Sequence, residues 1–265
     1  MIETNKETSI KEQIKQYWDS RGKDYDKSPG HTSLPELWRD VLSDVFNSKM
    51  RILDVGTGTG FLALLLAELG HDVVGIDLSR GMLEVAVQKA RKSNLKVEFK
   101  LADAENLPFS NDSFDAVICR HLLWTLPNPL KAVKEWSRVV KPKGKVVAID
   151  GSWFDKSLKS NAKRFLGRIG VAIYEKRNPW RNHHYLQKIG EMLPFYNNLT
   201  PEKAVKLFEN AGLLNVSVKN LSWIRERMLE KQPFIYRFAW SGKAYFMVEG
   251  FKSEVSKTFK DFKEV

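Results

Sequence analysis

Only one cysteine, Cys119, is present, so an internal disulfide is impossible and zinc sites built on several thiolates are excluded. Long apolar runs are absent too. The longest, Phe61 to Ala67, ends at Glu68, far short of the roughly 20 residues that a bilayer-spanning helix needs. The first residues, MIETNKETSIKEQIKQ, are charged where a secretory signal would be apolar, and the expected location is cytoplasmic. No period of 20–50 residues recurs and no stretch is dominated by Pro, Gly or Ser, which argues against solenoids and flexible linkers. No cluster of His, Asp and Glu has usable ligand spacing, so no metal is expected.

What is present is an excess of positive charge. The chain has 265 residues, with 43 Lys and Arg against 32 Asp and Glu, a net of +11. The excess is local. Residues 155–188 hold nine basic residues against Asp155 and Glu175, a net of +7, whereas residues 1–50 are close to neutral. A basic run with interleaved aromatics attracts acidic ligands or RNA phosphates, or simply forms a solvated helix face.

Short β-rich runs at Arg51–Val55, Asp72–Ile76, Lys96–Lys100, Phe114–Cys119 and Lys145–Ile149 alternate with helical periodicity at Phe61–Leu69, Gly81–Lys92 and Leu130–Val140. Such alternation predicts a doubly wound α/β core, mostly parallel and Rossmann-like. Two helices precede it, at Ile10–Trp18 and Leu34–Phe46, the second with Ser33 as N-cap and Pro35 in its first turn. Thr200-Pro201-Glu202 opens a later helix that stops at Gly212. Asn215–Lys219 and Lys243–Phe251 read as the last two strands, the final one joining the sheet edge antiparallel, with residues 220–242 inserted between them. The expected organisation is therefore an N-terminal helical segment (1–48), a ligand-binding core (49–150), a basic aromatic insertion (151–199) and a C-terminal part of the core (200–265).

The most informative string is RILDVGTGTGFLALLLAELG, residues 51–70: a strand, a glycine-rich turn and an apolar helix. Gly56, Gly58 and Gly60 let the backbone approach a ligand beside helix N-terminal amides. A dinucleotide fingerprint needs its third glycine one place later, where Phe61 stands, so the spacing disfavours NAD. Asp77, after the second strand, is placed to accept hydrogen bonds from both hydroxyls of a ribose, and Asp103, after the third, to accept from an adenine amino group. Asp54 either contacts the ligand or supports the glycine turn. Cys119 reads as a small buried hydrophobe.

With DVGTGTG, GIDLS, ADAENLPF, FDAVICRHLLWTLPNP and RVVKPKGKVVAID in this order over residues 50–150, the chain resembles the class I S-adenosylmethionine-dependent methyltransferases, within them the ubiquinone/menaquinone C-methyltransferase-like group. The resemblance implies a seven-stranded sheet, with the N-terminal helices and a helical insertion after strand 5 forming a lid. It implies S-adenosyl-L-methionine as cofactor and S-adenosyl-L-homocysteine as product. It places Tyr25, Asp54, Gly56, Gly58, Asp77, Leu78, Met82, Asp103, Ala104, Glu105 and Arg120 at the cofactor.

His121, directly after the fourth strand, is the candidate general base, with cofactor positioning as its alternative role. Tyr17, Trp124, Trp153, His183 and His184 are candidate acceptor contacts, whereas Trp18 and Trp38 read as packing residues. The expected acceptor is a small molecule, anionic if the basic insertion faces it. An RNA methyltransferase and a non-catalytic S-adenosylmethionine-binding protein are the competing readings.

Overall fold

The computed structural model describes residues 2–27, 30–152, 158–174, 189–196, 198–241 and 243–254. Helix α1 (Ile2–Arg21) leads through a 3-10 turn (Gly22–Lys27) to α2 (Pro35–Val45). The core follows as β1 (Arg51–Val55), α3 (Phe61–Glu68), β2 (Asp72–Asp77), α4 (Arg80–Lys92), β3 (Glu98–Leu101) and β4 (Phe114–Arg120). Next come a 3-10 turn (Leu123–Thr125), α5 (Pro129–Val139), β5 (Val140–Gly151) and α6 (Leu158–Tyr174). The chain continues with α7 (Pro201–Asn210), β6 (Leu214–Asn220), α8 (Ser222–Glu230), α9 (Phe234–Trp240) and β7 (Tyr245–Phe251).

The seven strands form one sheet in the order β3-β2-β1-β4-β5-β7-β6, in which β7 runs antiparallel to both β5 and β6. The expected antiparallel last strand is there, but not at the edge. It inserts between β5 and β6, pairing Tyr245 with Gly151 and Phe246 with Asn220, and the edge strand is β6. The reason is visible in burial. Tyr245–Gly250 is buried throughout, as a central strand must be, whereas β6 is almost wholly exposed.

Alternation along the strands divides the core in two. Leu53, Val55, Val117 and Cys119 face one layer with Trp136 of α5 and Phe208 of α7, while Ile52, Ala116 and Ile118 face another with Trp38 of α2, Leu66 of α3 and Ile224 of α8. Trp38 and Trp136 have no exposed surface, so Trp38 is the packing residue expected. Burial raises the pKa of the Cys119 thiol well above its usual value, keeping it protonated and inert.

The ends of two helices follow their sequence signals and one does not. Thr200 and Asn128 cap α7 and α5, accepting from Lys203 N and Lys131 N, each with proline at the first helical position. At α2 the cap is Leu34 in left-handed conformation (φ 56°), not Ser33, whose hydroxyl is buried without a hydrogen bond. Among the described residues no helix is long and apolar enough to cross a membrane.

Candidate functional site

At the carboxyl ends of β1, β2 and β4 the sheet opens into a cleft. Its floor is the turn after β1. Gly56 and Gly58 have φ of +67° and +56°, a region costly for residues with a Cβ. A Cβ on Gly56 would strike Leu122 at 2.8 Å, whereas one on Gly58 would meet no protein atom within 4 Å and would project into open space. Gly58 therefore leaves room for a ligand to lie on the backbone.

Asp54 sits beneath this turn and does not line the cleft. Its Oδ2 accepts from Thr57 Oγ1 (2.7 Å) and Ala63 N (3.2 Å), tying strand end, turn and helix start together. Burial pushes its carboxyl up to about 7. Of its two expected roles, the geometry carries the supporting one.

Asp77 ends β2 and does line the cleft. Its Oδ2 accepts from Gly58 N and its Oδ1 from Ser79 N, both at 2.8 Å, and burial raises its carboxyl to about 6 despite these bonds. Ser79 caps α4 through Met82 N (3.1 Å), which brings Leu78 and Met82 to the same wall. The opposite end of the cleft is formed by Ala102, Asp103, Ala104 and Glu105. Trp136 Nε1 holds this segment by donating to Ala104 O (3.0 Å), and Glu105 Oε1 accepts from Asn128 N (2.6 Å).

Helix α1 and the turn after it supply the remaining wall, with Lys11, Ile14, Trp18 and Tyr25. Trp18, expected to be a packing residue, does pack against the cluster of Ile10, Ile14, Ile189, Leu193 and Tyr196, and it also lines the cleft. Lys11 Nζ reaches Asp103 Oδ2 (2.8 Å) and Glu105 Oε2 (2.6 Å). Burial lowers the pKa of this ammonium, but the two carboxylates outweigh it and leave the net shift upward.

Two more acids anchor the same segment. Asp19 Oδ1 accepts from Ser79 Oγ (2.7 Å) and Gly81 N (3.0 Å), and Asp26 accepts from Thr59 Oγ1 (2.6 Å) and Lys89 Nζ (2.9 Å). Backbone meets backbone here, since a Cβ on Gly22 would lie 2.4 Å from Gly81 O.

Lys11 gives the first measurable expectation. The Glu105 side chain has no exposed surface, so Lys11→Met leaves its charge uncompensated. The Glu105 pKa, already raised by burial, climbs further, and the native state binds a proton that the unfolded chain releases. Stability then falls as pH rises. The expected loss is about 2 kcal/mol at pH 8, several degrees in Tm, and clearly less at pH 5. Equal losses at both pH values in scanning calorimetry would remove the electrostatic account of this contact.

The mouth of the cleft carries Arg120 and His121. Arg120 ends β4, donates through Nη2 to His31 O and lies 4.3 Å from the Phe61 ring centroid, while its Nη1 is buried without a hydrogen-bond partner. His121 adopts a left-handed backbone (φ 59°), uncommon for residues other than Gly though less so for Asn, Asp and His, with its N–H still donating to Ile149 O (2.8 Å). Its Nε2 lies 3.0 Å from Tyr245 Oη. Burial, then the charge of Arg120, depresses its pKa well below 6.5, so the ring is neutral. His31 Nδ1 donates to Tyr25 O (2.8 Å) and its ring stacks on Tyr25 at 4.0 Å. Burial lowers its pKa to about 4 and raises the Tyr25 phenol to about 12.

Of the expected acceptor contacts, Tyr17 and Trp124 do not line the cleft. Tyr17 packs edge-on to Trp18 (4.9 Å), and Trp124 against Trp18 and Tyr196 (6.3 and 5.8 Å). Both back the wall through Trp18. Trp153, His183 and His184 lie outside the described residues. Sequence reasoning missed Lys11, Asp19, Asp26, His31 and Tyr245, each of which has a contact at least 33 residues away in the chain. Among the described residues no group of His, Cys, Asp and Glu is arranged to hold a metal ion.

A glycine turn, an acid after β2 and an acid after β3, meeting at the carboxyl ends of neighbouring parallel strands, define a class I S-adenosylmethionine-dependent methyltransferase. A family model described as a methyltransferase domain matches residues 53–148. The chain is 32% identical over 203 residues to a ubiquinone/menaquinone biosynthesis C-methyltransferase of Rickettsia felis, covering 71% of this chain and 79% of that protein. It is 29% identical over 232 residues to a ubiquinone biosynthesis O-methyltransferase of Dinoroseobacter shibae, covering 83% and 86%. In fold it resembles Haemonchus contortus phosphoethanolamine N-methyltransferase 2 in complex with phosphomonomethylethanolamine and S-adenosylhomocysteine. That likeness has a TM-score of 0.61 at 20% identity, over 85% of this chain and 54% of that one. The chain belongs to the class I S-adenosylmethionine-dependent methyltransferases, in the ubiquinone/menaquinone C-methyltransferase-like group. Its cofactor is S-adenosylmethionine, and the open space over Gly58 beside the lining carboxylates Asp77 and Asp103 fits a hydroxyl- and amine-bearing ligand lying on the backbone.

Proposed function

We propose that this methyltransferase acts on a small hydroxylated aromatic ring, at an oxygen or at a carbon activated by a neighbouring hydroxyl. The observation that carries this reading is the His121 imidazole that lines the cleft with its Nε2 3.0 Å from Tyr245 Oη, its burial favouring the neutral ring. The curated relatives act in quinone biosynthesis as C- and O-methyltransferases, and both chemistries call for removal of an acceptor proton.

S-adenosylmethionine supplies a methyl group on a positively charged sulfur, open to in-line attack. The rest falls to the chain. Asp77 accepts from the ribose hydroxyls, and Asp103, steadied by Lys11, faces the adenine amino group. Leu78, Met82 and Ala104 flank the base, and Glu105 holds Lys11 and the turn at Asn128. Gly56 and Gly58 admit the ligand to the backbone with Asp54 bracing them. Tyr25 and Trp18 cover the cleft from the α1 side, and Ile10 and Ile14 of α1, packed against Ile189, Leu193 and Tyr196, help to exclude water. Arg120 orients the polar end of the cofactor, and His121 takes the acceptor proton. Alignment of the acceptor with the methyl carbon is worth roughly 7–11 kcal/mol by itself.

The basic insertion is not assigned to the acceptor. Lys163 turns to Ser241 Oγ (3.2 Å) and the Phe238 ring (5.3 Å) and does not line the cleft. The test is calorimetric titration with S-adenosylmethionine and S-adenosylhomocysteine, followed by transfer of a labelled methyl group to phenols and quinols, carboxylated metabolites and tRNA. Micromolar cofactor affinity with label in the phenolic set is the expected result. Label in tRNA alone would replace this reading with the nucleic-acid one, and no cofactor affinity would remove both.

A further inference from the structure

We infer that α6 and α9 form a docking face for an anionic lipid bilayer. At 100° per residue, Ala162, Phe165, Leu166, Ile169 and Ile173 fall within a sector of about 100° on α6. A stripe of that width normally faces a core. Here Phe165 is 56% exposed and Ile173 60%. Helix α9 packs against α6 and adds Phe234, 78% exposed, with Phe238 stacked beside it at 6.3 Å. Among the described residues the exposed aromatic rings are Phe165, Tyr174, Phe234 and Phe238 on these two helices and Trp223 on the adjoining α8. Single exposed rings are ordinary; a cluster gathered on α6, α9 and the adjoining α8 marks a contact surface.

Charge selects the partner. The two helices carry five Lys and Arg and no Asp or Glu, and four of the five lie on α6, within the segment 155–188 that holds most of the net charge. The groove beside α9 is bordered by Arg237, and by Glu226 and Glu230 of α8, of which Glu230 is paired with Arg227 (3.3 Å). A second copy docking through the same face would bring cations against cations. RNA would use the cations but give no reason for bare Ile173 and Phe234. Rings seated at the acyl boundary with cations among anionic headgroups satisfy both features.

The face is joined to the site through the chain. Helix α9 ends just before β7, and Tyr245, the first residue of β7, pairs with Gly151 at the end of β5 and holds His121.

The test is flotation of the full chain with vesicles of phosphatidylcholine alone and with roughly one-third phosphatidylglycerol. It is read without catalysis, so it stands or falls apart from the acceptor assignment. Flotation is expected with the anionic vesicles only and should be reversed by high salt. The double variant Phe165→Ser/Phe234→Ser and the charge variant Arg237→Glu should each weaken partitioning by about tenfold with Tm unchanged, since all three side chains are exposed. Four results would overturn the assignment: no flotation of the wild type, flotation indifferent to both variants, capture by tRNA but not by vesicles, or a solution dimer that the double variant splits.

Discussion

Replacing Asp77 with alanine is expected to weaken S-adenosylmethionine binding by about a hundredfold or more while leaving a folded chain. Two losses add. The ribose hydroxyls lose a charged acceptor, worth about 1.5–3 kcal/mol per hydrogen bond. Gly58 N and Ser79 N lose the oxygens that now hold them at 2.8 Å, so the glycine turn and the start of α4 are no longer fixed relative to each other. Asp77→Asn keeps one acceptor oxygen and should fall between, near tenfold. Calorimetric affinity alongside Tm separates the two losses, because turn loosening lowers both and ribose contact lowers affinity alone. Unchanged affinity in a folded Asp77→Ala protein would withdraw the ribose assignment.

The same carboxyl sets a pH dependence. Its folded-state pKa of about 6 lies above the value of 3.8 that it has when unconstrained, because burial penalises the charge. In the free protein the stability associated with this group is greatest at low pH and declines as pH rises from about 4 to about 6, since the native state holds the proton longer. Cofactor binding runs the other way. Ribose donors favour the ionised form, so affinity should be level above pH 7 and fall by about tenfold per unit well below pH 6.

How much of this was open to reading from the sequence depends on the reach of each interaction. The glycine turn, Asp77 and Ser79 lie within about 25 residues and are set by one βαβ unit, so periodicity and residue type locate them. Asp103 and Glu105 are found in the same way, from their place after a strand. Lys11 is different: it is one lysine in a charged helix, and its partners are 92 and 94 residues away. Nothing local distinguishes it from Lys15, which pairs within its own helix. Asp19, Asp26 and His31 were missed for that reason. The place of β7 was illegible in another sense, because alternation reveals a strand but not which neighbours it separates; only its unbroken burial betrays a central position. Ser33 shows local preference overridden: Leu34, in left-handed conformation, takes the cap position and the Ser33 hydroxyl is left buried without a hydrogen bond.

His121 joins both kinds of reading, since its place after β4 is a sequence feature and its partner Tyr245 is 124 residues distant. If it takes the acceptor proton, removing the imidazole should lower kcat by about 10²- to 10⁴-fold and change S-adenosylmethionine affinity only a few-fold. The choice of variant matters because the backbone there is left-handed. Alanine would add strain to the loss of the ring, whereas His121→Asn keeps a residue that tolerates this conformation. Tyr245→Phe leaves the imidazole in place without its 3.0 Å partner and should cost less than His121→Asn. The depressed His121 pKa adds a signature: the wild-type kcat should stay flat through pH 6.5, where an ordinary histidine base would lose activity, and fall only at lower pH. Cofactor affinity, governed by Asp77, should begin to fall near pH 6. Parallel losses of kcat and cofactor affinity in His121→Asn would instead make this histidine a positioning residue that shapes the cofactor end of the cleft, and the proton would have to leave by solvent.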